Sequence, residues 1–239
     1  MSEAVFTLYF DIDGTLMIAR GAGRRAFSHA FKDVYNLNID ISHVNFAGAT
    51  DLGVLNELLQ ENDVISDLNL IKLFFERLAF YLEESFKSKP PILLPGVMSF
   101  LHRTKQYCNF ALVTGNTRDC SSLKIRYANL NDFFNMDHGG YGDDNACRNQ
   151  IARIAIERTG NQMNGYLLGD TPKDVQAAKA NNLRSVALCT GAYQYDDLIK
   201  YKPDIILDSF EQAEALLSEL IELVVYLICL LYTSPSPRD

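Results

Sequence analysis

Short apolar runs alternate with longer amphipathic segments over most of the chain. The apolar runs are rich in β-branched and aromatic residues and predict buried strands at residues 5–10, 108–115, 133–136, 165–170, 185–191 and 204–209. The amphipathic segments predict helices at about residues 96–106, 117–129, 146–159, 172–181 and 210–223, with a short helix after residue 191. Strands that alternate with helices specify a parallel sheet covered on both faces. We therefore expect an α/β fold with a Rossmann-like sheet.

One long segment interrupts this alternation. Residues 17–88 have a helical pattern, with helices predicted at about 21–36, 51–61 and 67–86, and the Lys-Pro-Pro stretch at 89–91 marks the return to the main domain. In the first of these helices Phe27, Phe31 and Tyr35 recur every fourth residue and form an apolar stripe. We therefore expect an all-helical cap domain at residues 17–90, inserted into a core domain that consists of residues 1–16 and 91–222.

The C-terminal tail, residues 223–239, has a different character. Its apolar run at 223–232 has ten residues, whereas a membrane-spanning helix needs about 20. The last eleven residues, CLLYTSPSPRD at 229–239, resemble the translation of a widely used sequencing adapter. We expect residues 223–239 to be non-native and the native C-terminus to be altered somewhere after about residue 222.

Composition narrows the class of protein. The formal net charge is -8, which argues against nucleic acid as the main partner. The five cysteines are scattered without a CxxC pair, which favours reduced thiols. The N-terminus has no basic segment followed by an apolar stretch, so we expect a cytoplasmic protein without a membrane anchor. The sequence does not distinguish a monomer from a homodimer.

Polar residues follow the apolar runs at several places. Asp11 and Asp13 come directly after the first strand, and side chains two positions apart in an extended chain project to the same side. The other candidates are Thr114, Gly115 and Asn116 after the second strand, Arg148 near the start of helix 146–159, and Asp170 and Asp174 after strand 165–170. Because the C-terminal ends of parallel strands meet at the edge where such sheets bind ligands, these residues could share one crevice.

This set of residues suits a phosphate ester and a hard divalent cation. Neighbouring carboxylates repel one another unless a cation lies among them, and Mg²⁺ prefers about six oxygen ligands, several of them water. Threonine hydroxyls and backbone amides at helix N-termini bind phosphate oxygens, and a guanidinium matches phosphate geometry. We therefore expect Mg²⁺ as the cofactor and a small phosphorylated metabolite as the partner.

Each motif also has a structural interpretation. Asp11 and Asp13 could belong to an ordinary strand-end turn, Thr114 could cap the following helix, and Arg148 could be a surface residue. Asp174 completes a capping-box-like pattern with Thr171, so capping and catalysis explain it about equally well. Asp170, which directly follows an apolar strand, has no such alternative.

Taken in order, these motifs resemble those of the haloacid dehalogenase-like superfamily of phosphohydrolases, and in particular its phosphoglycolate phosphatase-like branch with a helical cap. DIDGT at 11–15 matches the first family motif, LVTGN at 112–116 the second, and GDTPKD at 169–174 the fourth. The resemblance covers residues 5–222, including the insertion after the first motif.

The resemblance implies a role for each candidate residue. Asp11 would be the nucleophile and Asp13 the general acid/base, while Thr114, with Gly115 and Asn116, would bind the phosphate. Mg²⁺ would be bound by Asp11, Asp170 and the backbone carbonyl of Asp13, and Asp174 would support the site. The implied activity is Mg²⁺-dependent hydrolysis of a small phosphomonoester through an aspartyl-phosphate.

The sequence departs from the family pattern at two points. The third family motif usually supplies a lysine, but no Lys-Pro precedes helix 146–159, and Arg148 is our substitute. Many relatives also carry an acid soon after DGTL, where this chain has Met17 and Ile18, and this leaves cap movement and substrate class open.

Three other activities are alternatives to a phosphatase. A phosphosugar mutase of the same superfamily is the nearest, although Thr15 is more typical of the phosphatases. A dehalogenase is disfavoured because that branch typically lacks the second acid, Asp13. A non-catalytic binding module need not retain both carboxylates, Asp11 and Asp13, which argues against that alternative.

Overall fold

The structure is a computed structural model that describes residues 6–160, 165–213, 216–218 and 222. Its strands are β1 (Phe6–Phe10), β2 (Met17–Ile18), β3 (Ile92–Leu93), β4 (Cys108–Leu112), β5 (Gly165–Gly169), β6 (Arg184–Leu188) and β7 (Ile205–Leu207). Its α-helices are α1 (Ala22–Tyr35), α2 (Asp51–Glu61), α3 (Leu68–Ser88), α4 (Val97–Thr104), α5 (Arg118–Tyr127), α6 (Arg148–Thr159), α7 (Pro172–Ala180) and α8 (Tyr195–Leu198).

The main sheet has the strand order β4-β1-β5-β6-β7, and each neighbouring pair is parallel. β1 lies between β4 and β5, so that Phe10 is in register with both Leu112 and Leu168. The residues that follow these three strands therefore meet at one edge of the sheet. The predicted α/β fold is confirmed.

Side chains of β1 alternate between two cores, because successive residues of a strand face opposite sides. Phe6, Leu8 and Phe10 pack into a large cluster on one face. Tyr9 packs on the other face with residues of α6 and α7, including Ile151 and Ala177. All five residues of β1 are buried, which fixes the strand and the residues that follow it.

The inserted segment forms a helical cap with a hydrophobic cluster that also includes Cys120 of α5. Aromatic and leucine side chains of α1 and α3 pack together, and the rings of Phe27 and Phe74 lie 4.9 Å apart between centroids. The predicted apolar stripe is present, with Phe27 and Phe31 buried and Tyr35 partly buried. An antiparallel ribbon of β2 and β3, which the sequence did not predict, pairs the two chain segments that lead into and out of the cap.

The predicted strand at 133–136 is wrong. These residues form a turn that leads into a 3-10 helix at Met136–His138. Phe134 is used for core packing, with its ring 5.6 Å from that of Phe10, so the apolar run reflects burial and does not pair as a strand.

The end of the chain differs from expectation in part. The predicted helix at 210–223 begins as a 3-10 helix at Phe210–Gln212. Residues 216–218 are helical, and much of the remaining stretch, like the predictions for residues 223–239, lies outside the described residues. Within the part of the chain that the structure describes, no helix combines the length and apolarity needed to cross a membrane.

Candidate active site

Asp11 lies at the C-terminal edge of the sheet, directly after β1, which is paired on both sides. Its backbone N–H donates to the carbonyl oxygen of Leu168 at 2.9 Å, which continues the β1–β5 ladder, and its side chain is buried. The chain then turns sharply at Gly14, whose φ of 80° is favoured by glycine. A Cβ atom there would lie 2.4 Å from Oδ2 of Asp170, so the turn also requires the absence of a side chain.

Three buried carboxylates meet beside this turn. Asp11, Asp170 and Asp174 each offer an oxygen within 4.8 Å of the others. Burial raises the pKa of Asp170 to about 8, and the charges of Asp11 and Asp174 act in the same direction. Burial also raises the pKa of Asp11 to about 6, although Arg148 opposes this. Crowded buried carboxylates with raised pKa values are the donor set that a hard divalent cation would stabilise.

Arg148 is the cation beside these acids. Its nitrogen Nη2 lies 2.8 Å from Oδ1 of Asp11 and 2.6 Å from Oδ1 of Asp174, and it donates to the carbonyl oxygen of Val113 at 3.0 Å. Arg148 is buried at the N-terminus of α6, so it is not the surface arginine of the structural interpretation. Its pKa is raised, because the two carboxylates outweigh the effect of burial.

Asp174 combines the two functions that the sequence left open. Its Oδ2 accepts hydrogen bonds from the backbone N–H of Thr171 at 3.1 Å and from the Thr171 hydroxyl at 2.7 Å, which caps α7. Its Oδ1 pairs with Arg148. Capping therefore places Asp174 beside Asp11 and Asp170, and these three residues form the acidic group of the site.

The loop after β4 forms the wall of the site opposite the three carboxylates. Thr114 is fully buried, and its hydroxyl oxygen accepts a hydrogen bond from Asn116 Nδ2 at 2.8 Å. The same Nδ2 donates to Oδ2 of Asp13 at 2.8 Å. A Cβ atom on Gly115 would lie 1.9 Å from the carbonyl oxygen of Ala49 in the cap, so glycine permits a close approach between core and cap.

Asp13 does not join the acidic group, because its side chain turns toward α5. There Oδ2 accepts a hydrogen bond from Nζ of Lys124, which also donates to Oδ1 of Asn116 at 2.6 Å. The pKa of Lys124 is raised: burial acts to lower it, but the charge of Asp13 outweighs that effect. Lys124 is not among the residues predicted from the sequence. The available signal was a lysine four residues after Cys120, on the buried face of a helix that starts at the TGN loop.

The cap reaches the same loop through the N-terminus of α2, where the sequence predicted a helix at about 51–61 but no site residue. Asp51 donates its backbone N–H to the carbonyl oxygen of Gly115 at 2.7 Å, and its Oδ2 accepts a hydrogen bond from the N–H of Thr117 at 2.8 Å. The Thr50 hydroxyl donates to the carbonyl oxygen of Ala146 at 3.0 Å. These contacts place the cap over the C-terminal edge of the sheet.

Between cap and core lies a cavity of about 330 Å³. The candidate residues on its core side are Asp11, Asp13, Thr114, Gly115, Asn116, Lys124, Arg148 and Asp170. Its cap side is largely apolar and includes Phe27, Phe46, Val54, Leu78 and Leu82, together with Arg24. A small polar group with an anionic end could therefore lie against the sheet edge, sheltered from water by the cap.

The fold and this arrangement agree with the match to a known family. The family model of haloacid dehalogenase-like hydrolases matches residues 8–188, so the chain belongs to this family and is a hydrolase. The resemblance drawn from the three motifs is thereby confirmed.

Individual relatives agree with this assignment. The chain is 26% identical over 230 residues to a phosphoglycolate phosphatase of Aliivibrio fischeri, covering 91% of this chain and 99% of the relative. A hydrolase from Pseudomonas syringae has a TM-score of 0.69 at 19% identity, covering 89% of this chain and 98% of the other. CbbY from Rhodobacter sphaeroides, solved in complex with phosphate, has a TM-score of 0.67 at 18% identity, covering 87% and 96%. The two structural similarities show the shared fold.

Proposed function

We propose that the chain is a Mg²⁺-dependent phosphatase that hydrolyses a small phosphomonoester through an aspartyl-phosphate on Asp11. The observation that carries this proposal is the position of Asp11 on the core side of the cavity, with Arg148 and Asp170 beside it and Asp13 two residues further on. This arrangement supplies a nucleophile, a cation, a metal-binding group and a second acid around one space.

In the first half of the reaction, a carboxylate oxygen of Asp11 attacks phosphorus. The bond between phosphorus and the ester oxygen breaks, and Asp13 gives a proton to the departing alkoxide. Thr114, with the backbone of Gly115 and with Asn116, binds the phosphate oxygens, and Arg148 stabilises their charge. Arg148 would thus act where the family usually has a lysine.

In the second half, a water oxygen attacks the phosphorus of the aspartyl-phosphate. Asp13, now deprotonated, takes the proton from that water, and the bond between phosphorus and Asp11 breaks to release inorganic phosphate. Proton transfer of this kind contributes about 10²–10⁴ in rate, whereas accelerations of phosphate-monoester hydrolysis reach about 10²¹. Positioning and electrostatic stabilisation must therefore supply most of the effect.

The acidic group fits the metal that this chemistry requires. Asp11 and Asp170, with the backbone carbonyl of Asp13, would hold Mg²⁺, and Asp174 would support them from its position between Arg148 and the α7 cap. When bound, Mg²⁺ would neutralise the crowded carboxylates and the phosphate charge. The raised pKa values of Asp11 and Asp170 support a site that favours added positive charge.

The test is a screen of phosphomonoesters for release of inorganic phosphate, with and without Mg²⁺. The panel begins with 2-phosphoglycolate, because one relative is a phosphoglycolate phosphatase, and continues with small sugar phosphates. We expect Mg²⁺-dependent release of phosphate from at least one member. Isomerised sugar phosphate without phosphate release would indicate a mutase, and binding of esters without turnover would indicate a non-catalytic module.

A further inference from the structure

Lys124 is a buried lysine on α5, and the other charged residues of this helix are exposed. Its side chain is 3% exposed, although it carries an ammonium group. A buried charge is strongly unfavourable unless it is paired and hydrogen-bonded. The contacts that pair Lys124 therefore indicate its function.

Those contacts converge on Asp13 from one side. Oδ2 of Asp13 accepts hydrogen bonds from Lys124 Nζ and from Asn116 Nδ2, and Lys124 Nζ also donates to Oδ1 of Asn116. Among the described residues, no side-chain hydrogen bond reaches Oδ1 of Asp13, and the Asp13 side chain is 40% exposed and lines the cavity. One oxygen is anchored and the other is left available.

We propose that Lys124 is a positioning residue that, together with Asn116, anchors Oδ2 of Asp13 and leaves Oδ1 to transfer the proton. This inference rests on the proposed function, in which Asp13 is the general acid/base. An aspartate carboxylate, which turns about two side-chain bonds, would otherwise sample several orientations, and misplacement of a reacting group by about 1 Å can cost about 10² in rate.

The first test replaces Lys124 by methionine, which keeps the length of the side chain but removes its charge and donors. With an alkyl phosphate as substrate, we expect K124M to lower kcat by about 10–100-fold and to change KM by less than about threefold. With p-nitrophenyl phosphate, whose leaving group needs little protonation, the first half of the reaction depends weakly on Asp13. K124M should then show a burst of one equivalent of nitrophenol followed by slow turnover.

Two further variants show whether the effect passes through Asp13. In the D13N background, K124M should lower kcat by less than about twofold more, because the residue that it positions no longer transfers protons. K124R, which restores a cation, should recover part of the lost kcat. K87M is the matched control, because Lys87 makes an exposed ion pair with Glu84 at 2.6 Å on α3, and it should behave as the wild type.

Thermal unfolding checks that each variant is folded. If K124M does not fold, K124Q replaces it in the same experiments. A raised KM with unchanged kcat would overturn the inference and make Lys124 a ligand of the substrate. Equal losses in the wild-type and D13N backgrounds would also overturn it. A wild type that hydrolyses no phosphate ester would instead contradict the proposed function, whereas an active wild type with a fully active K124M would contradict this inference alone.

Discussion

Nη2 of Arg148 lies 2.8 Å from Oδ1 of Asp11, and the same nitrogen also contacts Asp174 and the carbonyl oxygen of Val113. The two N–H groups of this nitrogen are thus shared among three acceptors, which lie after β1, after β4 and in the first turn of α7. An ammonium group has three donors, one for each of these acceptors. The geometry explains how an arginine could stand where relatives of this family usually have a lysine.

Replacing Arg148 by lysine and by methionine tests this explanation. We expect R148K to keep activity within about tenfold of the wild type, because an ammonium group keeps the positive charge and has three donors for the same acceptors. R148M should lose at least about 10² in kcat and about 3–5 kcal/mol of stability, because it leaves two buried carboxylates without their cation. Steady-state kinetics and urea unfolding measure both effects.

R153M is the matched control for these variants. Arg153 lies on the same helix, α6, in an exposed ion pair with Glu157, and exposed pairs contribute at most about 1 kcal/mol. If R148K were as inactive as R148M, the arginine would be needed for its planar, forked shape, and the three-acceptor explanation would be wrong.

The acidic group predicts that Mg²⁺ binds to the protein without substrate. At about 100 times its dissociation constant, the ion should stabilise the folded state by about 2.7 kcal/mol. D170N should remove this stabilisation, because Asp170 is buried in the group and, unlike Asp174, is not held in a helix cap. Calorimetric titration and thermal unfolding measure the effect, and equal stabilisation of D170N would place the metal elsewhere.

Asp51, at the junction of cap and core, predicts a pH dependence of stability. Burial raises its pKa to about 6 from the ordinary 3.8, while Lys124 opposes the shift. The folded state therefore binds a proton more tightly than the unfolded state, so the contribution of this group to stability falls as the pH rises from about 4 through 6.

D51N keeps an acceptor for the N–H of Thr117 but does not titrate. Relative to the wild type, D51N should therefore gain about 2 kcal/mol of unfolding free energy between pH 4 and pH 7. Urea unfolding at both pH values measures this difference. A difference that does not change with pH would show that Asp51 stays charged in the folded protein.

Much of the fold could be predicted because short segments of the sequence indicate which residues are buried. All residues of β1 and β5 are buried, and such apolar runs are identifiable without knowledge of their partners. Strand ends were harder to place: the predicted strand 108–115 ends at Leu112, and Val113 makes only an isolated bridge with Gly140. The two-residue strands of the ribbon are too short to give a periodic signal.

Among the candidate residues, those at strand ends were predicted because a parallel sheet brings its C-terminal ends together. Lys124 could not be found in that way, because it pairs with a residue 111 positions away and lies within a helix. Asp51 looked like an ordinary first residue of a helix, and its bond to Thr117 crosses 66 positions. Contacts that depend on how the cap is placed on the core leave no local pattern in the sequence.

The most direct test of the account is the pre-steady-state release of nitrophenol from p-nitrophenyl phosphate by D11N and D13N in the presence of Mg²⁺. D13N keeps the nucleophile, so it should release a burst of one equivalent and then turn over about 10²–10⁴ times more slowly than the wild type. D11N should show no burst, and D132N, which changes an exposed aspartate, should match the wild type. Wild-type-like turnover by D11N would contradict the assignment of Asp11 as the nucleophile.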